Sequence, residues 1–375
     1  MRIGIDGIPL APPRAGIGHY TFELARSLAA LLPEDDCEVI APVPISLEAD
    51  DGIPIPPNLS TVYVPVNAIR RRWWTFGLPL YVRRNKLTLF HGTNYNLPLW
   101  YGCRTVVTIH DLSLLLHSNT HREDLVRRAR TRLPTMTRIA TRIITDSESV
   151  KREICEHLKV APEKITAVPL APRRAFHPAD PQTARQTCRE LGVEDDFILF
   201  VGTVEPRKNL ITLVRAFEEL LHTTELRPQL VIAGAKGWLN DELFANVDAT
   251  ARRERILFTG YISDDQLRAL YSSCRVCVYP SLYEGFGLPT LEAMACGAPV
   301  ITSRIPVMIE TVGTSARLIE PTEVSQLTAA LVELLTDENA RQHFAASGFQ
   351  RAAEFTWEKT ARKTLEVYRE ALAVS

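Results

Sequence analysis

A chain of 375 residues, 46% hydrophobic and 23% charged, has the composition of an ordinary globular protein and the length of two domains, each able to bury a core. A formal net charge of −1 argues against a protein devoted to nucleic acid. The Met1–Asp6 start lacks the pattern of a signal peptide, no apolar run reaches the ~20 residues that span a bilayer, and seven scattered cysteines fit reduced thiols, so the expected location is the cytoplasm.

Short β-rich runs alternate with amphipathic helical stretches, the pattern of parallel sheets wound with helices. In the first half, strands are expected at Arg2–Ile5, Cys37–Ala41, Thr61–Val64, Leu87–His91, Thr105–Ile109, Arg142–Asp146 and Ile165–Val168. Ala171–Pro181 holds several prolines without periodicity and reads as a linker. A second series follows at Phe197–Gly202, Gln229–Gly234, Ile256–Gly260, Val276–Pro280, Pro299–Thr302 and Ala316–Ile319. The stretch from Thr356 to Ala371 has a Thr N-cap, an early Glu358 and a periodic apolar face, and should end the chain as a helix.

Several stretches sit where strands end, which is where doubly wound sheets bind ligands. Gly16-Ile-Gly18 opens the first helix but lacks the third glycine and the acidic ribose partner of a dinucleotide fingerprint, so NAD is not expected; the pair suits either close backbone approach to phosphate or a bare tight turn. His91-Gly-Thr-Asn94 and Asn96 offer acceptor-sugar ligands, and Val106-Val-Thr-Ile-His-Asp-Leu112 places His110 beside Asp111. In Val201-Gly-Thr-Val-Glu-Pro-Arg-Lys-Asn209, Arg207 and Lys208 precede a helix and could neutralise a diphosphate, against the duller reading of solvated loop charges. Cys274 and Cys277 lie in a buried strand and read as core rather than half a zinc site.

The longest signal is Tyr279-Pro-Ser-Leu-Tyr-Glu-Gly-Phe-Gly-Leu-Pro-Thr-Leu-Glu-Ala-Met-Ala-Cys-Gly-Ala-Pro-Val-Ile-Thr302. It reads as strand end, Gly-rich loop of exposed amides, helix and strand, with Glu284 in the loop and Glu292 one turn into the helix. Charge is uneven elsewhere: Ile69–Arg84 sets a Trp-rich apolar run between arginines, and Arg122–Arg142 carries seven arginines against two acids. That patch suits a membrane interface or a lipid-diphosphate acceptor, or is a packed helix with a solvated basic face.

Glu284 and Glu292, with seven residues between them and Ala293-Met-Ala-Cys-Gly-Ala-Pro-Val300 behind, resemble the signature of the retaining glycosyltransferases of family 4. The resemblance implies the α/β GT-B fold, two doubly wound Rossmann-like domains facing across a crevice. It implies an acceptor-binding domain over 1–172, a linker over 173–190, a nucleotide-sugar domain over 191–355, and a helix over 356–375 that crosses back to the first domain. By the same resemblance Glu292 holds the donor ribose and Glu284 the donor hexose, while Gly285, Phe286, Gly287 and Leu288 present backbone N–H groups. Lys208 matches the family's loop lysine, but Thr203 stands where an arginine is usual, and Arg207 is the candidate replacement. His110 is similar to the family's crevice histidine.

The expected catalytic groups are therefore His110, Glu284, Arg207 and Lys208. The expected donor ligands add Gly16, Gly18, Thr203, Glu292 and the 285–288 amides; Asn94, Asn96 and Asp111 are acceptor candidates. The sequence has no Asp-x-Asp to cluster hard oxygen ligands on a diphosphate, so no metal or other cofactor is expected. The implied reaction is hexose transfer from a nucleotide diphosphate sugar to a carbohydrate or lipid-linked acceptor, with Pro206-Arg-Lys-Asn209 resembling a subgroup that favours GDP-mannose. A GT-B-shaped sugar-nucleotide epimerase and an inactive sugar-nucleotide-binding subunit are the alternatives.

Overall fold

A computed structural model describes residues 1–374 except 13, 15, 48–52, 66–71, 101, 239, 240 and 251. The Ile69–Arg71 end of the Trp-rich run thus lies outside the described residues. In chain order the elements are β1 (Arg2–Asp6), α1 (Gly16–Leu31), β2 (Asp36–Ala41), β3 (Leu59–Tyr63), α2 (Leu78–Arg84), β4 (Leu89–Gly92), β5 (Arg104–Thr108), α3 (Ser113–Leu116), α4 (Glu123–Ile139), β6 (Arg142–Thr145), α5 (Glu148–Leu158) and β7 (Ile165–Ala167). There follow α6 (Pro181–Glu190), β8 (Phe197–Val201), α7 (Leu210–Thr223), β9 (Gln229–Ala233), α8 (Asp241–Ala249), β10 (Ile256–Gly260), α9 (Asp264–Ser273), β11 (Val276–Tyr279), α10 (Leu288–Ala295), β12 (Val300–Ser303), α11 (Pro306–Val312), β13 (Arg317–Ile319), α12 (Val324–Thr336), α13 (Glu338–Ala353) and α14 (Trp357–Ala373). Every expected strand forms, with ends moved by no more than two residues.

The chain divides into two units. The first comprises Met1–Leu112, Arg127–Ala171 and Phe355–Ser375; the second comprises Ser113–Val126 and Pro172–Glu354. The first unit holds a parallel sheet of order β3-β2-β1-β4-β5-β6-β7 and the second a parallel sheet of order β10-β9-β8-β11-β12-β13. Both orders reverse direction beside their first strand, between β1 and β4 and between β8 and β11, and such switch points are where open α/β sheets take ligands. β8 and β9 are buried along their whole length, as expected of strands covered on both faces. The second unit's core joins Ile198, Phe200, Leu213, Phe217, Ile232 and Leu331.

In the first unit, α14 packs on α1 and beside β5 and β6. Its Thr356 N-cap accepts from the Lys359 amide at 3.2 Å. Tyr368, fully buried, reaches the Nδ1 atom of His91 at 2.8 Å, and the Nε2 atom of His91 meets the Thr108 hydroxyl at 2.8 Å. Burial lowers His91 to about 3, so the ring is neutral inside the sheet.

The segment read as a linker over 173–190 is different in the structure. Residues 181–190 form α6, capped by Asp180, whose carboxylate accepts from the Thr183 amide at 2.9 Å, with Pro181 at the first helical position. Proline there loses no intrahelical hydrogen bond, and Asp-Pro is a helix start rather than a loop marker. Residues 172–180 belong to the second unit, and Arg173 is part of its site.

Candidate active site

The second unit's site is built where β8 and β11 end. After β8 the chain makes one 3₁₀ turn, Pro206–Lys208, in which proline presets the backbone. Asn209 follows at φ 58°, a left-handed position that Asn tolerates. Its side chain fixes the turn, donating to the carbonyls of Pro280 at 3.0 Å and Pro321 at 2.6 Å while its own oxygen accepts from Thr212 at 2.8 Å. The Leu282 amide donates to the Arg207 carbonyl at 2.9 Å, which ties the loop after β11 to the same turn.

This frame brings four charges together in a buried place. The Lys208 ammonium donates to Oε1 of Glu284 at 2.6 Å and to the Tyr279 hydroxyl at 2.7 Å. Arg207 donates to Glu205 at 2.7 Å, to Oε2 of Glu284 at 3.3 Å and to the Tyr283 carbonyl at 3.0 Å. The Lys208 and Glu284 side chains are only 9% and 8% exposed. Burial would raise the Glu284 carboxyl, but Lys208 and then Arg207 outweigh it and hold the group below the ordinary glutamate value. Burial lowers the Lys208 ammonium, with Glu284 opposing.

Two carboxylates and two cations sum to zero. Arg207 braces Glu205 and Glu284. Lys208 uses two of its three N–H donors on the network. Thr203 is exposed and outside the network.

The loop from Gly285 to Gly287 is buried, not exposed as its glycines suggested. Gly287 sits at φ 89°, and a Cβ there would stand 2.5 Å from the Met308 sulfur, so only glycine fits. It leads into α10, with Leu288 and Pro289 as the first two residues. Glu292, one turn in, has a partner that no motif indicated. Arg173 donates through Nε to Oε1 at 2.6 Å and through Nη2 to Oε2 at 3.2 Å, and through Nη1 to Asp264 at 2.8 Å. Arg173 carries no spacing signal; only its placement after a strand, among prolines, could have drawn notice.

In the first unit, the ends of β4, β5 and β6 collect a second cluster. His110 meets Asp146 through Nδ1 at 2.8 Å and the Thr93 carbonyl through Nε2 at 2.9 Å, and the Tyr20 ring stands edge-on at 4.9 Å. A carbonyl only accepts, so Nε2 carries a proton and donates to it, while Nδ1 faces the Asp146 carboxyl group. Burial pulls the imidazole down, but Asp146 and Thr93 push it above the ordinary histidine value. Both ring nitrogens are occupied, and the Nε2 partner is a backbone oxygen.

Asp111 donates its amide to the Tyr95 hydroxyl at 3.0 Å, and the Asn96 amide group donates to the Asn94 carbonyl at 2.9 Å. Asn94, Asn96 and Asp111 are all partly exposed. Gly18 allows α1 to approach the chain itself: a Cβ would stand 2.5 Å from the Pro9 carbonyl oxygen. This supports the tight-turn reading of that glycine, whereas Gly16 is exposed with open space around it. Cys277 is buried inside β11 and Cys274 is buried just before it.

Two family models match, one over each half of the chain: Glycosyltransferase Family 4 over residues 14–171 and Glycosyl transferases group 1 over residues 188–351. The O-antigen chain mannosyltransferase B of Escherichia coli is 30% identical over 98% of this chain and all of its own length. The serotype-specific mannosyltransferase WbdA of Escherichia coli is 31% identical over 72% of this chain, but only 34% of its own length is matched. Among solved structures, sucrose-phosphate synthase from Thermosynechococcus elongatus superposes with a TM-score of 0.78 at 22% identity, covering both chains completely; this likeness is one of fold.

The His110 geometry has a direct check. Its raised pKa means that the pairing stabilises the first unit at pH below the ordinary histidine value and that this contribution is lost as pH rises through the raised one. An NMR titration of the ring should place His110 above ~6.5, and Asp146→Asn should bring it down. A wild-type value at or below the ordinary one would contradict the pairing.

Proposed function

The chain belongs to glycosyltransferase family 4, and on that premise we propose that it moves a mannosyl residue from GDP-mannose to a saccharide or lipid-linked oligosaccharide acceptor with retention of anomeric configuration. The observation that carries this reading is the buried Lys208–Glu284 pair at the switch point of the second sheet, one short loop from the start of α10. The mannose assignment rests on the two mannosyltransferase relatives.

In this reading the second unit takes the donor. Glu292 accepts from the ribose hydroxyls and Glu284 from the hexose, while the amides of Gly285, Phe286, Gly287 and Leu288 face donor oxygens. The diphosphate meets the remaining N–H of Lys208. The network is neutral before it arrives, so Lys208 turns part of its charge from Glu284 to the phosphate, and Arg207 keeps Glu284 ionised as it does. The bond from the sugar's anomeric carbon to phosphate breaks with its electron pair on the diphosphate. The acceptor oxygen bonds to that carbon from the same face, and its proton passes to the departing phosphate oxygen. Lys208 stabilises charge that grows in the transition state.

The first unit supplies the acceptor candidates Asn94, Asn96 and Asp111. The His110 ring, held on both nitrogens, fixes the loops after β4 and β5 that carry them. A lysine and a helix start supply the positive potential that a metal ion gives elsewhere, and the reaction is assigned no metal.

Exposed Phe76, Leu80, Leu99 and Trp100 occur in the same unit as Trp74, over whose ring Arg132 lies at 6.0 Å. Arg127, Arg128, Arg130 and Arg138 on α4 are also exposed. We assign this patch to peripheral contact with an anionic membrane on the cytoplasmic side. Sedimentation with phosphatidylglycerol vesicles should carry the protein down, and Arg128→Glu combined with Arg132→Glu should release it. Equal sedimentation of the double variant would contradict the assignment.

The transferase reading is checked with radiolabelled GDP-mannose and a lipid-linked acceptor extract. Label should enter the acceptor from GDP-mannose and not from UDP-hexoses, unchanged by EDTA. Lys208→Ala should lower turnover by about a hundredfold or more, as removal of one transition-state donor does elsewhere. Epimerised donor without acceptor labelling would favour the epimerase. Turnover near wild type in Lys208→Ala would remove the diphosphate assignment.

A further inference from the structure

Arg173 precedes α6 in the segment that joins β7 to the second unit, outside every motif described above. Its side chain is 12% exposed, and it faces a Glu292 carboxylate that is 3% exposed. A carboxylate so buried needs a counter-charge, since an unpaired one costs several kcal/mol and takes up a proton instead. Among the described ion pairs of Glu292, Arg173 is the cation. The guanidinium uses its planar fork on both carboxylate oxygens and its remaining terminal nitrogen on Asp264 in the first turn of α9. The Phe176 ring lies 4.3 Å from the guanidinium carbon and packs edge-on against Tyr271 at 5.6 Å. The fork is therefore held from three sides, by α10, α9 and its own turn.

We infer that Arg173 is the positioning residue of Glu292, setting the charge and orientation with which that carboxylate reads the vicinal hydroxyls of the donor ribose. The inference rests on the ribose role proposed for Glu292 above. Each carboxylate oxygen has two lone pairs, and Arg173 takes one on each. What remains is one lone pair per oxygen, a matched pair of acceptors for two adjacent hydroxyls. Without the guanidinium the carboxylate loses the partner that fixes its plane and the direction of those lone pairs. A lysine supplies the charge as a point and holds one oxygen, not two. The segment between the sheets thereby enters donor recognition.

Calorimetric titration with GDP and with 2′-deoxyGDP tests this; the UDP pair is run in parallel and the tighter-binding base is used. The wild type should prefer the ribo form by roughly tenfold to a hundredfold, the worth of a hydrogen bond to a charged group. In Glu292→Gln and in Arg173→Ala that ratio should fall towards one, with Arg173→Lys between. In turnover, Arg173→Ala should raise KM for the donor far more than it lowers kcat. A wild-type ratio in Arg173→Ala, alongside a lost ratio in Glu292→Gln, overturns the positioning role and leaves the ribose reading standing. A ratio unchanged in Glu292→Gln overturns the ribose reading and the inference with it. If Arg173→Ala does not fold, Arg173→Lys decides, since a wild-type ratio there shows that the fork is not needed.

Discussion

Four charges with almost no access to water set the terms for the second unit. Glu205 and Glu284 face Arg207 and Lys208 at distances of 2.6–3.3 Å. Removing one member of such a buried set typically costs about 3–5 kcal/mol, because its partner is left uncompensated. The set therefore fixes where the turn after β8 stands relative to the loop after β11, and Asn209 repeats the constraint by bonding the Pro280 and Pro321 carbonyls. Within the set each carboxylate faces a cation, which keeps the buried charges compensated. In the donor-site reading proposed above, Lys208 is the cation shared between Glu284 and the diphosphate.

The same strand order serves the two units differently. In the second, the switch point between β8 and β11 carries paired charges, Lys208 with Glu284 and Arg207 with Glu205 and Glu284. In the first, the strand ends carry locked polar groups: His110 is held by Asp146 and Thr93, and Tyr20 bonds the Thr108 hydroxyl at 2.8 Å. Two buried histidines at neighbouring strands shift in opposite directions: burial lowers His91, whose ring nitrogens meet hydroxyls, while Asp146 and the Thr93 carbonyl raise His110 against burial. Helix α14 belongs to this lock, since Tyr368 supplies one of the partners of His91.

Strands were legible as short β-rich runs, the central ones such as β8 and β9 buried throughout, and the glycosyltransferase motif was legible because its residues are close in sequence. Lys208 and Glu284 could be named, yet not their pairing, which depends on two loops 76 residues apart meeting. Proline density misled at Asp180-Pro181, where the cap and the first helical residue looked like a linker. Glycine content misled at Gly285–Gly287, where the need was a positive φ and room for Met308, not exposure. Arg173 was invisible because 119 residues separate it from Glu292 and neither position requires the other by any local rule. Surface features were the easiest to see and the hardest to interpret, as the arginines of α4 show.

The central claim is that Lys208 passes from Glu284 to the donor's diphosphate. Comparing GDP with GMP isolates it, because the two differ by one phosphate and GMP affinity controls for any general damage to the fold. The wild type should bind GDP well above GMP, and in Lys208→Ala the ratio should collapse towards one while GMP affinity holds. An undiminished GDP-to-GMP ratio in Lys208→Ala would contradict the account.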